Sequence, residues 1–133
     1  MLAYVTDVIT RFRRDYPLKP QHQPYPHINP TYGTKSQYAE AADMSPPLSK
    51  EDKTIVQEVT GTSFYYARLV DPTILTALKS IAAHQANPTE KTMQKVNQLL
   101  DYMVTHPDPI ITYYAIDMVL AGHSDALRLS EKI

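Results

Sequence analysis

The chain has 133 residues, the length of about one domain. Its formal net charge is −1, so it has no excess of positive charge that would favour binding to nucleic acid or to an anionic membrane. The absence of cysteine excludes a disulfide framework and any cysteine-containing zinc site. No apolar run approaches about 18 residues, and the N-terminal charges have the reverse order of a signal peptide. We therefore expect no membrane span and an intracellular protein, in the cytoplasm or the nucleus.

The first predicted element is a helix over residues 2–14. Its apolar residues recur at spacings of three and four and form one stripe: Leu2, Val5, Ile9 and Phe12. Three arginines lie in the last turn, where positive charge complements the helix dipole: Arg11, Arg13 and Arg14. Pro17 then ends the helix.

A proline-rich segment follows, residues 16–48, which we call the tether. Residues 16–47 hold seven of the eleven prolines and show no apolar periodicity. Because each proline lacks a backbone donor, we expect an extended, polyproline-like or disordered tether whose tyrosines could lie on a neighbouring surface.

Three helices are predicted after the tether. Ser49 can cap the first, and Asp71-Pro72 and Asn87-Pro88 each combine a capping residue with a proline that suits the first helical turn. The turns between these helices are very short, so we expect antiparallel packing. Gly61 interrupts the first of the three at a cost of about 1 kcal/mol relative to Ala, unless a neighbour packs closely there.

The C-terminal part has a different period. Residues 110–114 are β-branched and aromatic, and residues 118–121 form a second apolar run, which predicts a β-hairpin. The expected fold class is therefore α+β, mainly α: a small antiparallel helix cluster with a C-terminal β-hairpin and a Pro-rich extended segment.

Few residues suggest chemistry by themselves. Asp125 follows the last predicted strand and could be a metal ligand, but a turn aspartate is the ordinary explanation, since one carboxylate cannot form a two-metal site. The five histidines show no zincin spacing and are expected at the surface or in turns. Four basic residues could contact phosphate, or could simply be solvated at a helix end: Arg11, Arg13, Arg14 and Lys19.

With these elements in place, the chain resembles copia-type LTR-retrotransposon polyproteins, in the region between reverse transcriptase and ribonuclease H. The resemblance lies in residues 56–74, 85–108 and 117–126, and residues 3–15 are similar to the helix that closes the polymerase part. The pattern positions of this region are filled by Gly61, Tyr65, Asp71, the Asn87-Pro88-Thr89-Glu90 cap and Ser124-Asp125-Ala126.

The resemblance implies three parts: residues 1–15 end the polymerase, 16–48 are the tether, and 49–133 are a helical connection that leads into a truncated ribonuclease H domain. It also implies that Asp125 is the first Mg²⁺-binding carboxylate of ribonuclease H, of which the other carboxylates would lie beyond Ile133. We expect a fragment that is inactive alone and needs no cofactor, although the parent family uses Mg²⁺.

The resemblance further implies possible partners, namely an RNA–DNA hybrid or other polyprotein segments. The sequence leaves two alternatives open. One is a small helical protein-interaction module without a nucleic-acid role, docking through Leu2, Val5, Ile9 and Phe12. The other is a nuclease completed by self-association.

Overall fold

A computed structural model describes residues 2–12, 14–33, 41–112 and 114–115 of the chain. The described part contains four α-helices and one short 3₁₀ turn: α1 (Leu2–Arg11), α2 (Lys50–Leu69), the 3₁₀ turn (Pro72–Ile74), α3 (Leu75–His84) and α4 (Glu90–Thr105). Within these residues, no helix combines the length and the apolar character needed to cross a membrane.

The predicted α+β class is wrong, because the described residues form helices and no strand. Ile110, Ile111, Thr112 and Tyr114, assigned to the first hairpin strand, are exposed and have no strand conformation. The second predicted strand, residues 118–121, lies outside the described residues. A β-branched run becomes a strand only when a partner satisfies its backbone, and a hairpin alone is marginal. None of the described segments pairs with residues 110–112.

The helix ends follow local capping chemistry. Ser49 accepts a hydrogen bond from the Asp52 backbone N–H and caps α2, as predicted. Asp71 accepts from the Thr73 N–H, but it opens the 3₁₀ turn from which α3 then continues. Thr89, and not Asn87, caps α4, because its hydroxyl accepts from the Thr92 N–H while the Thr92 hydroxyl accepts from the Thr89 N–H.

Helix α2 passes through Gly61 without interruption. Gly61 is exposed, and a Cβ added there would have no neighbour within 4 Å. No close packing therefore requires glycine at this position, and its conformational freedom only weakens the helix.

The core is built by all four helices. It is dominated by aliphatic side chains that are almost fully excluded from solvent: Val5, Val8, Val56, Val59, Ile74, Leu78, Ile81, Val96, Leu99, Leu100 and Met103. Tyr66 is also buried, and burial raises the pKa of its phenol to about 12, with Asp71 adding to the effect. The Tyr66 ring consequently stays neutral in the core at ordinary pH.

Candidate functional site

The structure describes only part of the predicted site. Asp125 and Arg13 lie outside the described residues. Among the described residues, no group of three or more metal-ligating side chains is close enough to hold an ion. The described residues therefore provide no ligand set for the Mg²⁺ that the resemblance implies.

Arg14 is occupied by a contact with helix α4. Its Nε and Nη2 donate to the two carboxylate oxygens of Asp101 at 2.7 and 2.8 Å, and its Nη1 donates to Asn97 Oδ1 at 3.3 Å. The Arg14 and Asp101 side chains are only 29% and 21% exposed. Such a paired arrangement is strong and directional. Arg14 therefore fastens the end of the N-terminal segment to α4 and is not presented to a phosphate.

Arg11 and Lys19 remain accessible. Arg11 forms a 3.4 Å ion pair with Glu58 of α2, but both side chains are about half exposed, so this pair is weak and easily exchanged. Lys19 is exposed in the tether. The three described members of the predicted basic set are thus divided: Arg14 contacts α4, Arg11 contacts α2, and Lys19 is exposed to solvent.

The tether runs along α4 in the opposite direction to the helix. The Gln21 N–H donates to Thr105 Oγ1 at 3.1 Å, and the Gln98 amide donates to the Gln23 carbonyl at 3.0 Å. Two side chains of α4, Gln98 and Thr105, therefore hydrogen-bond to the backbone of the tether. Residues 14–33 form neither helix nor strand, as expected, yet they contact the helix cluster.

A buried lysine joins the tether to two helices. Lys95 is 6% exposed; its ammonium donates to Ser80 Oγ at 3.1 Å and lies 5.3 Å from the centre of the Tyr25 ring. The Ser80 hydroxyl donates to Tyr25 Oη at 3.3 Å. A charge of this kind is tolerated in a protein interior only when polar and aromatic groups compensate its lost hydration. The cluster of Lys95, Ser80 and Tyr25 therefore connects α4, α3 and the tether.

Sequence reasoning missed this cluster, although one signal was present. Lys95 lies on the same face of α4 as Thr92, Val96 and Leu99, which are all buried. A lysine within an apolar stripe indicates a buried partner, but the periodicity does not identify Ser80 or Tyr25 as that partner.

The far end of the tether is held at the start of α4. The Leu48 N–H donates to the Pro88 carbonyl at 3.0 Å, and the Glu90 N–H donates to the Pro46 carbonyl at 3.1 Å. The Asp43 carboxylate accepts from the Ser45 N–H at 2.9 Å and from the Ser45 and Thr89 hydroxyls. The tether is therefore fixed to α4 near both of that helix's ends.

Asp43 should make this attachment sensitive to acid. Hydrogen bonds from Ser45, then from Thr89, lower the pKa of Asp43 from 3.8 to about 2. A carboxyl group whose pKa is lower in the folded than in the unfolded state stabilises the fold at pH values above its unfolded-state pKa. This stabilisation is lost as the pH falls through the folded-state pKa. We expect Asp43→Asn to reduce the free energy of unfolding by less than about 1 kcal/mol at pH 7, because the carboxylate is exposed.

The difference between the wild type and Asp43→Asn should shrink as the pH falls from about 4 to about 2. Urea unfolding followed by circular dichroism at pH 7, 4 and 2.5 measures it. Asp15→Asn, at an exposed position before the tether, is the matched control. A difference that does not depend on pH would show that the Asp43 charge does not contribute to the attachment.

Comparison with known proteins adds no relative to these observations. No family model, curated protein or solved structure matches the chain. What the described geometry does is hold three separate segments, α1, the tether and the helices α2 to α4, in fixed relation.

Proposed function

We propose that the chain is the connection segment of a copia-type retrotransposon polyprotein, an intracellular, non-catalytic connector between polymerase and ribonuclease H parts. The motif positions support this proposal by their structural roles. Asp71 opens the turn before α3, and Pro88-Thr89-Glu90 begins α4, so two of the sequence positions that carry the resemblance also define helix boundaries.

The observation that carries the proposal is the packing of α1 in the same core as α2 and α4. Val5 and Val8 of α1 are 1% and 3% exposed. Tyr4 stacks on Tyr66 with 5.8 Å between ring centres and a 12° interplanar angle, and its hydroxyl donates to the Thr62 carbonyl at 2.9 Å. By the resemblance, α1 closes the polymerase part. A connector that incorporates this helix would hold the two enzymatic parts in register.

The same packing disfavours the protein-interaction module. That alternative requires the stripe of α1 to be free for a partner. Val5 is buried within the chain, and Ile9 and Phe12 are partly buried against its core. The three described side chains of the predicted docking face are therefore used within the chain.

The connector would also help to seat the RNA–DNA duplex through phosphate contacts, which do not depend on sequence. Arg11 and Lys19 are the accessible members of the predicted basic set. We expect a fluorescently labelled RNA–DNA hybrid to bind more tightly at low salt. The variant Arg11→Ala/Lys19→Ala should bind more weakly, with a salt slope reduced by about 1.8, or about 0.9 for each lost phosphate contact.

Lys79→Ala, which removes an exposed lysine of α3, is the control and should leave the salt slope unchanged. Titration by fluorescence anisotropy at two salt concentrations makes the comparison. Absence of binding at low salt would remove the duplex-seating role.

A ribonuclease H assay with Mg²⁺ should give background rates for the wild type and for Asp125→Asn. A wild-type rate that the substitution abolishes would overturn the non-catalytic assignment.

A further inference from the structure

Two histidines from distant parts of the sequence meet where the tether crosses the end of α4. His22 Nδ1 lies 3.1 Å from His106 Nε2, and the ring centres are 5.2 Å apart in a T-shaped arrangement. His22 is exposed and His106 is half-buried, so both nitrogens lie near solvent. The helical spacing of histidines gave no hint of this pair, because 84 positions separate the two residues.

The surroundings hold both imidazoles in place. The residues on either side of His22 are anchored to α4, Gln21 through its N–H to Thr105 and Gln23 through its carbonyl to Gln98. His106 directly follows α4, where its N–H donates to the Tyr102 carbonyl at 2.8 Å, and its ring centre lies 4.8 Å from that of Tyr102. Hydrogen bonds to α4 therefore fix the backbone around both histidines.

We propose that His22 Nδ1 and His106 Nε2 bind one divalent transition-metal ion of the imidazole-preferring class, Zn²⁺ or Cu²⁺, with water completing the coordination. The spacing suits a shared ion. With zinc–nitrogen bonds of about 2.05 Å, a nitrogen separation of 3.1 Å subtends about 98° at the metal. This angle lies between the cis angle of a square-planar site, about 90°, and the tetrahedral angle, about 109°.

The chemistry of the pair agrees with this geometry. Neutral imidazole is a ligand for zinc and copper, and each ring can use its second nitrogen to hold the proton. Without metal, the 3.1 Å contact is a hydrogen bond in which one ring nitrogen carries a proton and donates it to the lone pair of the other, and the tautomers decide which ring is the donor. With metal, both coordinate. Because the ion would join the tether to the end of α4, it would bind the folded chain more tightly than the unfolded chain and stabilise the fold.

Isothermal titration of the full chain with ZnCl₂ tests the proposal. We expect a site that takes one Zn²⁺ per chain, and an increase in the thermal midpoint with Zn²⁺ that excess Mg²⁺ does not reproduce. His22→Gln and His106→Gln should each weaken binding about tenfold or more, since each removes one of two protein ligands. His27→Gln is the matched control, because His27 is an exposed histidine of the same tether.

A second measurement does not depend on variants that fold. In ¹H–¹⁵N spectra of the wild-type imidazoles, Zn²⁺ should shift the His22 and His106 signals and leave His27 and His84 unchanged. Sedimentation should show that the chain does not associate further when Zn²⁺ is added. The proposal is overturned if Zn²⁺ binding is absent, if it survives both substitutions, if other histidines shift instead, or if zinc links two chains.

Discussion

Val8→Asp is expected to lower the free energy of unfolding by at least about 3 kcal/mol, because an unpaired carboxylate would be placed in an apolar interior. Val8 is 3% exposed and belongs to the core that α1 shares with the other helices. Folded domains are stable by only about 5–15 kcal/mol, so this loss should release α1 or unfold the chain. Urea unfolding followed by far-ultraviolet circular dichroism measures the change.

The control for Val8→Asp is Thr10→Asp, which introduces the same charge at an exposed position of the same helix. Its cost should stay within about 1 kcal/mol, the size of an unfavourable charge near a helix C-terminus. If the two variants were equally stable, α1 would not occupy the core. The connector proposal would then lose the observation on which it depends.

Leu78→Ala is expected to reduce the free energy of unfolding by about 2–5 kcal/mol, through lost burial and the cavity left behind. Leu78 lies on α3, is fully excluded from solvent and packs in the core formed with α2 and α4. The urea concentration at the midpoint of unfolding should fall. The slope of the free energy of unfolding against urea concentration should stay the same, since the surface exposed on unfolding changes little.

Leu69→Ala is the matched control, because Leu69 is 60% exposed at the end of α2. It makes the same chemical change outside the core and should cost less than about 1 kcal/mol. A Leu78→Ala variant as stable as Leu69→Ala would contradict the packing of α3 against the other helices.

The helices could be predicted because their signals are local. Apolar spacing in residues 2–14 indicated α1, and Ser49 and Asp71 act as caps through hydrogen bonds to residues two or three positions away. The same local reasoning misplaced the cap of α4 by two residues, since Asn87 precedes a proline and Thr89 provides the reciprocal bonds with Thr92. It also failed for residues 110–114, where β-branched composition was taken for a strand that needs a pairing partner.

The sites could not be predicted in the same way, because they join residues far apart in the chain. Arg14 meets Asp101, Lys95 meets Tyr25, and His22 meets His106. Each residue has an ordinary local explanation: an arginine at a helix end, a lysine on a helix, a histidine in a turn. Their partners become evident only when the end of the N-terminal segment and the tether are placed on α4.

The sequence alone determined where the helices of the described part begin and end to within a few residues, because turn chemistry and periodic hydrophobicity act over one or two turns. Tertiary structure decided what the basic, histidine and tether residues contact. It also decided that Val5, Ile9 and Phe12 of the α1 stripe pack inside the chain. The physical reason is that burial, ion pairing and ring contacts depend on the separation of side chains in space, and proline-rich backbone carries no periodic signal that specifies the surface on which it lies.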